Sequence, residues 1–176
     1  LIMENKTVTK KVLAKEGIKV PVGEEFDSLA EAKICINNYI GKPIVIKPKS
    51  TNFGTGINIF PEGANAEDIE RAFEIAFKFD KTVLIEEFIK GKEYRFLVID
   101  DQVVGILHRV PANVLGDGVK NIRELVELKN QNPLRGKGYV TPLEKINLGE
   151  NEAIFLKQQN KNFDYVPLSG ETVYLR

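Results

Sequence analysis

The chain has 176 residues, of which 43% are hydrophobic and 28% are charged, a composition typical of folded globular proteins. Its 25 basic residues balance 25 acidic residues, so no overall field would attract nucleic acid or an anionic membrane. A single cysteine, Cys35, excludes an intrachain disulfide framework and a cysteine-based metal cluster, and no signal peptide is recognisable. We therefore expect a cytoplasmic protein without nucleic-acid or membrane partners, in which any binding of anions depends on local charge.

Both ends of the sequence resemble cut ends. The chain opens with Leu-Ile-Met-Glu rather than an initiator methionine, and it stops within the alternating apolar run 173–176. We expect it to be a fragment of a longer parent chain.

The first elements follow from helix formers and capping residues. Residues 7–16 predict a helix, and the extended run 18–21 predicts a short strand. Ser28 and Glu31 have the spacing of a capping box, which predicts a second helix that ends near Tyr39.

Short β-branched runs dominate the remainder, interrupted by segments with helical spacing. The predicted strands are 43–48, 57–60, 82–89, 94–99, 103–110 and 171–175, and the predicted helices are 65–80, 122–130 and 156–159. Because several connections are short enough for hairpins, we predict an α+β fold with mostly antiparallel sheets rather than a doubly wound parallel sheet.

The segment 47–56, Lys-Pro-Lys-Ser-Thr-Asn-Phe-Gly-Thr-Gly, joins two predicted strands. A lysine at a strand end, followed by hydroxyl residues and glycines, offers a positive charge and backbone N–H donors to oxyanions. It is not a Walker A loop, because it lacks Gly-Lys-Ser/Thr and leads into a strand. Taken alone, the segment also fits an ordinary mobile turn.

Two further segments carry weaker signals. The run 83–89, Val-Leu-Ile-Glu-Glu-Phe-Ile, offers backbone groups to an adenine edge, and Glu93 is available to ribose hydroxyls. The same run fits an edge strand with a solvated pair of glutamates. The lysines of 5–10, considered alone, fit a solvated helix face.

In order and spacing, these three segments resemble the ATP-grasp superfamily. The resemblance implies that two lysines hold the nucleotide phosphates, that a flap at 50–56 closes over them, and that 86–89 forms the adenine hinge. It also implies two subdomains, 1–89 with the flap and hinge and 90–176 as a partial C-terminal subdomain. The implied nucleotide-binding residues are Lys6, Lys47, Ser50, Thr51, Gly54, Gly56, Glu86, Glu87, Phe88, Ile89 and Glu93.

Motifs in the second half of the sequence resemble one particular family within this superfamily. His-Arg-Val-Pro-Ala-Asn-Val-Leu-Gly-Asp-Gly at 108–118 and Lys-Asn-Gln-Asn-Pro-Leu-Arg-Gly at 129–136 resemble the ATP-grasp half of the bifunctional glutamate–cysteine ligase/glutathione synthetase family. This implies ATP and Mg²⁺, phosphorylation of the γ-glutamylcysteine carboxylate, and attack by glycine on the acyl phosphate. Arg95 and Arg109 are the candidate catalytic residues, because a guanidinium can hold a carboxylate or phosphoryl group with two donors.

Other interpretations stay open at this point. The family takes its metal ligands from an Asp and a Glu-x-Asn pair on late strands, and no such pair is recognisable after Tyr139. We therefore expect the metal ligands to lie mostly outside an ATP-grasp unit that is C-terminally incomplete, and the fragment alone to be inactive. The alternatives are a cyanophycin synthetase-type ligase, a non-catalytic nucleotide-binding module and a structural α+β domain. Arg135 and His108 receive no assigned role.

Overall fold

The computed structural model describes residues 5–51, 54–138 and 140–175. Two compact units divide the chain, Leu1–Ile89 and Lys90–Arg176. No helix in the described ranges combines the length and the apolar character needed to cross a membrane.

The first unit is built on a four-stranded antiparallel sheet with the order β1-β4-β2-β3. Its strands are β1 (Gly23–Phe26), β2 (Ile44–Pro48), β3 (Asn58–Phe60) and β4 (Val83–Glu87). Side chains alternate between the two faces of a strand, so in β2 the buried Ile44, Ile46 and Pro48 lie on one face and Lys47 lies on the other.

Helix α3 (Ala66–Phe77) packs against this sheet with a fully buried stripe that includes Ile69 and Phe73. The Phe73 ring meets Phe26 of β1 edge to face, with the ring centroids 5.7 Å apart. Asn65 caps the helix by accepting a hydrogen bond from the N–H of Asp68 at 2.8 Å. The helix predicted from the periodicity of 65–80 is therefore confirmed.

Two shorter helices complete the first unit. Helix α1 (Lys6–Lys15) starts at Asn5, whose side chain accepts from two N–H groups of the first turn. Helix α2 (Leu29–Cys35) starts at the predicted cap Ser28, but it ends at Cys35 and continues only as a 3-10 turn, Ile36–Asn38.

The strand predicted at 18–21 is wrong, because β1 begins only at Gly23. Pro21 has no N–H to donate to a sheet ladder, and its carbonyl oxygen accepts from the Lys10 ammonium at 3.2 Å. Regular pairing with β4 therefore starts beyond the proline, where the Val22 carbonyl accepts from the N–H of Glu87 at 2.9 Å.

The second unit begins with a two-stranded antiparallel ribbon, β5 (Glu93–Ile99) and β6 (Gln102–Arg109). A register irregularity lies between Leu97 and Val98, and Asp100 takes a left-handed conformation in the connecting turn. Apart from the half-buried Gly105, every residue of the two strands is exposed.

The core of the second unit lies further along the chain. It is formed around β7 (Asn113–Leu115), α4 (Ile122–Asn130), α5 (Glu150–Gln158) and β10 (Thr172–Tyr174). The bounds of α4 match the prediction, α5 is longer than the helix predicted at 156–159, and β7 was not predicted.

Strands β7 and β10 pair antiparallel, whereas the two-residue strands β8 (Arg135–Gly136) and β9 (Leu143–Glu144) pair parallel. All other pairing among the described residues is antiparallel. The predicted α+β class with mostly antiparallel sheets is therefore confirmed.

Candidate functional site

Four lysine side chains from two elements lie around one end of the first unit's sheet. Lys6 and Lys10 come from consecutive turns of α1, while Lys47 lies on β2 and Lys49 follows that strand. We call Lys6, Lys10, Lys47 and Lys49 the lysine cluster. Each of them is partly buried, so its ammonium group is held close to the protein rather than extended into water.

Glu86 of β4 lies at the centre of the lysine cluster, and only 3% of its side chain is exposed. Its Oε1 accepts from the Lys10 ammonium at 2.6 Å, and its Oε2 pairs with the ammonium of Lys47. Burial by itself would raise the pKa of Glu86, but the hydrogen bonds and charges of the two lysines outweigh it and hold the pKa below its ordinary value. Glu86 is therefore a buried carboxylate with a separate cation on each oxygen.

The Lys6 ammonium joins α1 to the loop that follows β2. It donates to the carbonyl oxygens of Lys49 and Thr51, each at 2.8 Å, and to that of Pro48 at 3.3 Å. Burial lowers the pKa of Lys6, and the nearby charge of Lys47 lowers it further. Lys6 and Lys47, the two lysines predicted to hold phosphates, thus lie close enough to repel each other.

Two further acidic side chains, Glu25 and Asp80, bind the lysine cluster or the backbone next to it. Glu25 of β1 pairs with Lys49 at 3.0 Å and accepts from the Thr7 hydroxyl at 2.7 Å. Asp80 accepts from the N–H groups of Ser50 at 2.6 Å and Thr82 at 3.2 Å. Counting Glu25, Asp80 and Glu86 against the four lysines leaves one positive charge in excess, and a local excess of that sign attracts an anion.

The first two residues of the predicted flap, Ser50 and Thr51, are held by hydrogen bonds. The Ser50 N–H is bonded to Asp80, and the Thr51 hydroxyl donates to the Thr55 carbonyl at 3.1 Å. Asn52 and Phe53, which the prediction also places in the flap, lie outside the described residues.

Two flap glycines occupy conformations that other residues rarely adopt. Gly54 and Gly56 have φ angles of 79° and 70°, in the left-handed region. A Cβ on Gly56 would also lie only 2.8 Å from the Phe79 ring and 2.8 Å from the Pro48 ring. The glycines predicted from sequence are therefore required by the shape of this loop.

Most backbone donors of the predicted adenine hinge are already used. The N–H of Glu87 donates to Val22 at 2.9 Å, and the N–H of Phe88 donates to Pro43 at 3.0 Å. The Glu87 carboxylate accepts from the Val22 N–H at 3.0 Å. Ile89 is 61% exposed, and its N–H makes no hydrogen bond within the described residues.

The remaining predicted site residues lie on the ribbon of the second unit. Glu93 and Arg109 are directly opposite each other, and their side chains form an exposed ion pair at 2.7 Å. Arg95 is two residues from Glu93, so it lies on the same face of the ribbon. The structure thus brings together a predicted ribose ligand and a predicted catalytic arginine.

Two interpretations drawn from single segments are wrong. The lysines of 5–10 do not form a solvated helix face, because Lys6 and Lys10 turn to the sheet and its following loop. The run 83–89 is not an edge strand with a solvated glutamate pair, because β4 lies between β1 and β2 and buries Glu86.

Sequence reasoning missed Lys10, Lys49, Glu25 and Asp80 as members of this site. For Lys10 a signal was present, since it lies four residues after Lys6 and so on the same face of a helix. The partners of the other three lie on elements far away in the sequence, and no local pattern indicates them.

Gly23 of β1 allows the close approach of the strand that carries Glu86. A Cβ at this position would collide with the Ile85 carbonyl oxygen and would lie 2.8 Å from the Glu86 Cγ. We expect Gly23→Ala to lower the free energy of unfolding by about 1–3 kcal/mol, the usual cost of overpacking. Urea unfolding measures this; Gly91→Ala, which meets nothing within 4 Å, is the control, and equal midpoints for the two variants would contradict the close approach.

Within the described ranges, no group of three or more His, Cys, Asp or Glu side chains is placed to hold a metal ion.

Comparison with known proteins extends over the whole chain. A model of the RimK-like ATP-grasp domain matches residues 3–123. The glutathione biosynthesis bifunctional protein GshAB of Clostridium perfringens is 58% identical over 176 residues, which are 100% of this chain and 23% of that protein. The GshAB of Enterococcus faecalis is 54% identical, with the same coverage. The chain thus spans about a quarter of the length of these curated relatives.

Solved structures give related matches. A bifunctional glutathione synthetase from Pasteurella multocida is 49% identical, with 97% of this chain and 23% of that chain covered and a TM-score of 0.46. A D-alanine–D-alanine ligase from Bacillus anthracis is 29% identical, and the match covers 66% of this chain and 37% of that chain with a TM-score of 0.50. The family model matches more than half of the sequence and, with the GshAB relatives, confirms the predicted resemblance: the chain belongs to the RimK-like ATP-grasp family.

Proposed function

We propose that this chain is the nucleotide-binding part of an ATP-dependent carboxylate–amine ligase of the glutathione synthetase type. The observation that carries the proposal is the position of Lys6 and Lys47, from separate elements, beside the glycine-containing loop at 50–56. A pair of cations next to such a loop suits a polyphosphate better than a single carboxylate, because several charges must be matched at once.

The phosphate contacts would come from the lysines and the loop. The Lys6 and Lys47 ammonium groups already have partners, Lys6 with carbonyl oxygens and Lys47 with Glu86, so phosphate oxygens would share or replace these contacts. Ser50, Thr51, Gly54 and Gly56 would bring hydroxyl and N–H donors from the loop. Such donors neutralise the charge that develops on a transferred phosphoryl group.

The adenine contacts would come from the end of β4. Because the N–H groups of Glu87 and Phe88 are used by neighbouring strands, the available hinge donor is the N–H of Ile89. Phe88 and Ile89 would provide apolar contact to adenine, and Glu93 would accept from the ribose hydroxyls. Both oxygens of Glu86 are bound to lysines, so Glu86 would contribute to this end of the site through Lys47 rather than by direct contact with adenine.

In the whole protein we propose the reaction that the relatives' names suggest. ATP would transfer its γ-phosphoryl group to the carboxylate of γ-glutamylcysteine, with ADP leaving. The amine of glycine would then attack the acyl phosphate, release phosphate and form the peptide bond of glutathione. Arg95 and Arg109 are proposed to hold the carboxylate and the phosphoryl oxygens.

The same proposal covers the subdomains, the location of the protein, the metal ion and the branch of the family. Units 1–89 and 90–176 would be the two subdomains of the ATP-grasp unit, and the protein would be cytoplasmic. Mg²⁺ would neutralise phosphate charge during transfer, and most of its ligands would come from chain segments other than those described. The relatives reported above have glutathione names, which favours this branch over cyanophycin synthesis.

ATP-dependent stabilisation of the chain tests the proposal. At a concentration about 100 times its dissociation constant, ATP should raise the free energy of unfolding by about 2.7 kcal/mol. Lys47→Ala should remove this increase, whereas Lys11→Ala, which changes an exposed lysine of the same helix as Lys6, should keep it. Urea unfolding with and without ATP measures the difference for each variant.

Each variant is compared only with itself, because the loss of Lys47 also changes the stability of the free protein through Glu86. The proposed role of Lys47 fails if Lys47→Ala retains the full ATP-dependent increase. The proposed nucleotide binding fails if the unchanged chain shows none.

A further inference from the structure

One buried carboxylate binds two lysines of the lysine cluster through different oxygens. The Lys10 ammonium lies 2.6 Å from Oε1 of Glu86, and Lys47 pairs with Oε2. Lys10 also donates to the Pro21 carbonyl at 3.2 Å. These two contacts hold Lys10 between the segment that precedes β1 and the inner strand β4.

The proposed function assigns a phosphate contact to Lys47, which in this structure is bound to Glu86. Glu86 and a nucleotide phosphate therefore compete for the same ammonium group. If Lys47 were the only partner of Glu86, its departure would leave a charge unpaired in a side chain that is 3% exposed. An unpaired buried carboxylate is strongly unfavourable, so Lys47 would be retained by Glu86.

Lys10 removes the need for Lys47 to stay on Glu86. With its ammonium on the other oxygen, Glu86 keeps a cation and a hydrogen bond when Lys47 turns to a phosphate. Lys10 itself has a second acceptor in Pro21, which keeps it in place.

We propose that Lys10 is a positioning residue that releases Lys47 from Glu86 for contact with nucleotide phosphates. The inference rests on the proposed function. It predicts a specific defect, because the effect of Lys10 passes only through the phosphate contact of Lys47. Removal of Lys10 should therefore weaken binding of ATP far more than binding of adenosine, which has no phosphate.

The test is calorimetric titration of the chain with ATP and with adenosine. Lys10→Met removes the charge and keeps most of the length of the side chain. We expect it to weaken ATP binding at least about tenfold, a free-energy change of about 1.4 kcal/mol, and to change adenosine binding by less than about twofold. Lys10→Arg should restore ATP binding, because a guanidinium can also donate to Glu86.

Lys11→Met on the same helix is the matched control, since Lys11 is exposed. A second comparison separates the proposed role from a general effect on folding. With Glu86 neutral there is nothing to retain Lys47, so Lys10→Met added to Glu86→Gln should not change the ratio of ATP to adenosine affinity.

The outcomes separate this inference from the proposed function. Equal losses for ATP and adenosine in Lys10→Met, or no loss for either, would overturn the role of Lys10 while nucleotide binding by the unchanged chain stands. The same role is overturned if Lys10→Met has its full effect in the Glu86→Gln background. No ATP binding by the unchanged chain would overturn the proposed function itself, and the inference with it.

Discussion

Replacement of Glu86 with alanine is expected to lower the free energy of unfolding by about 2–4 kcal/mol near neutral pH. Loss of one partner from a fully buried ion pair costs about 3–5 kcal/mol, because the remaining charge is left without compensation. The expected value is lower here, since the side chains of Lys10 and Lys47 are 22% and 20% exposed and can gain some hydration. Chemical unfolding of the two proteins measures the difference.

Glu62→Ala is the control for this variant. Glu62 is an exposed glutamate in the same unit, for which no ion pair is found in the described structure, and such substitutions usually change stability by less than about 0.5 kcal/mol. If Glu86→Ala is no more destabilising than Glu62→Ala, Glu86 does not hold the two lysines in the folded protein.

The contribution of Glu86 should also depend on pH in a defined direction. Its pKa is lower in the folded protein than the ordinary value of 4.5, so its stabilising effect is complete above about pH 4.5. The effect is lost as the pH falls through the lowered pKa, because the protonated acid no longer attracts the lysines. The difference in stability between the unchanged chain and Glu86→Gln should therefore be largest at neutral pH and shrink in acid; a constant difference down to pH 3 would contradict the ion pairs.

Replacement of Ile69 with alanine is expected to cost about 2–5 kcal/mol, the usual range for a buried isoleucine. Ile69 lies on α3 with no exposed surface, packed against the sheet that carries Lys47 and Glu86. Truncation would leave a cavity in addition to the loss of apolar burial. The measurement is again the free energy of unfolding in urea.

Ile34→Ala is the matched control, since Ile34 also lies on a helix but is 80% exposed. Its effect should stay within about 0.5 kcal/mol. The ATP-dependent increase in stability should persist in Ile69→Ala, because α3 packs on the core side of the sheet rather than among the lysines. Similar losses for the two isoleucines would contradict the assignment of the core.

Structural elements that are stabilised by residues close together in the sequence could be predicted from it. Helix α4 was predicted at its observed bounds from the segment 122–130. The structure shows that its stabilising contacts are local, since Asn121 and Glu124 form a reciprocal capping box and buried apolar residues follow at helical spacing. The flap glycines were recognisable for the same reason, since a turn with left-handed residues favours glycine in the sequence itself.

The parts that could not be predicted depend on contacts between distant residues. The burial of Glu86 follows from the position of β4 between two other strands, which no local pattern within 83–89 indicates. The spacing of Lys10 from Lys6 indicates only a shared helix face, because its partner Glu86 is 76 residues further along the chain. Strand β1 begins later than predicted, beyond Pro21, whose carbonyl oxygen accepts a hydrogen bond from Lys10.

The family resemblance contributed what local patterns could not. It paired Lys6 with Lys47 before any geometry was known, and the structure places the two lysines within electrostatic range of each other. Their proposed roles toward phosphate rest on this pairing together with the loop at 50–56.

The most direct test of the central claim, that ATP phosphates lie against Lys6 and Lys47, is chemical labelling. An acyl-phosphate derivative of ATP transfers its acyl group to lysines beside the bound phosphates, and peptide mass spectrometry identifies the modified residues. We predict labelling at Lys6 or Lys47 that excess ATP prevents, with little labelling of the exposed Lys11. Labelling spread over exposed lysines, or labelling at Lys6 and Lys47 that ATP does not reduce, would contradict the account.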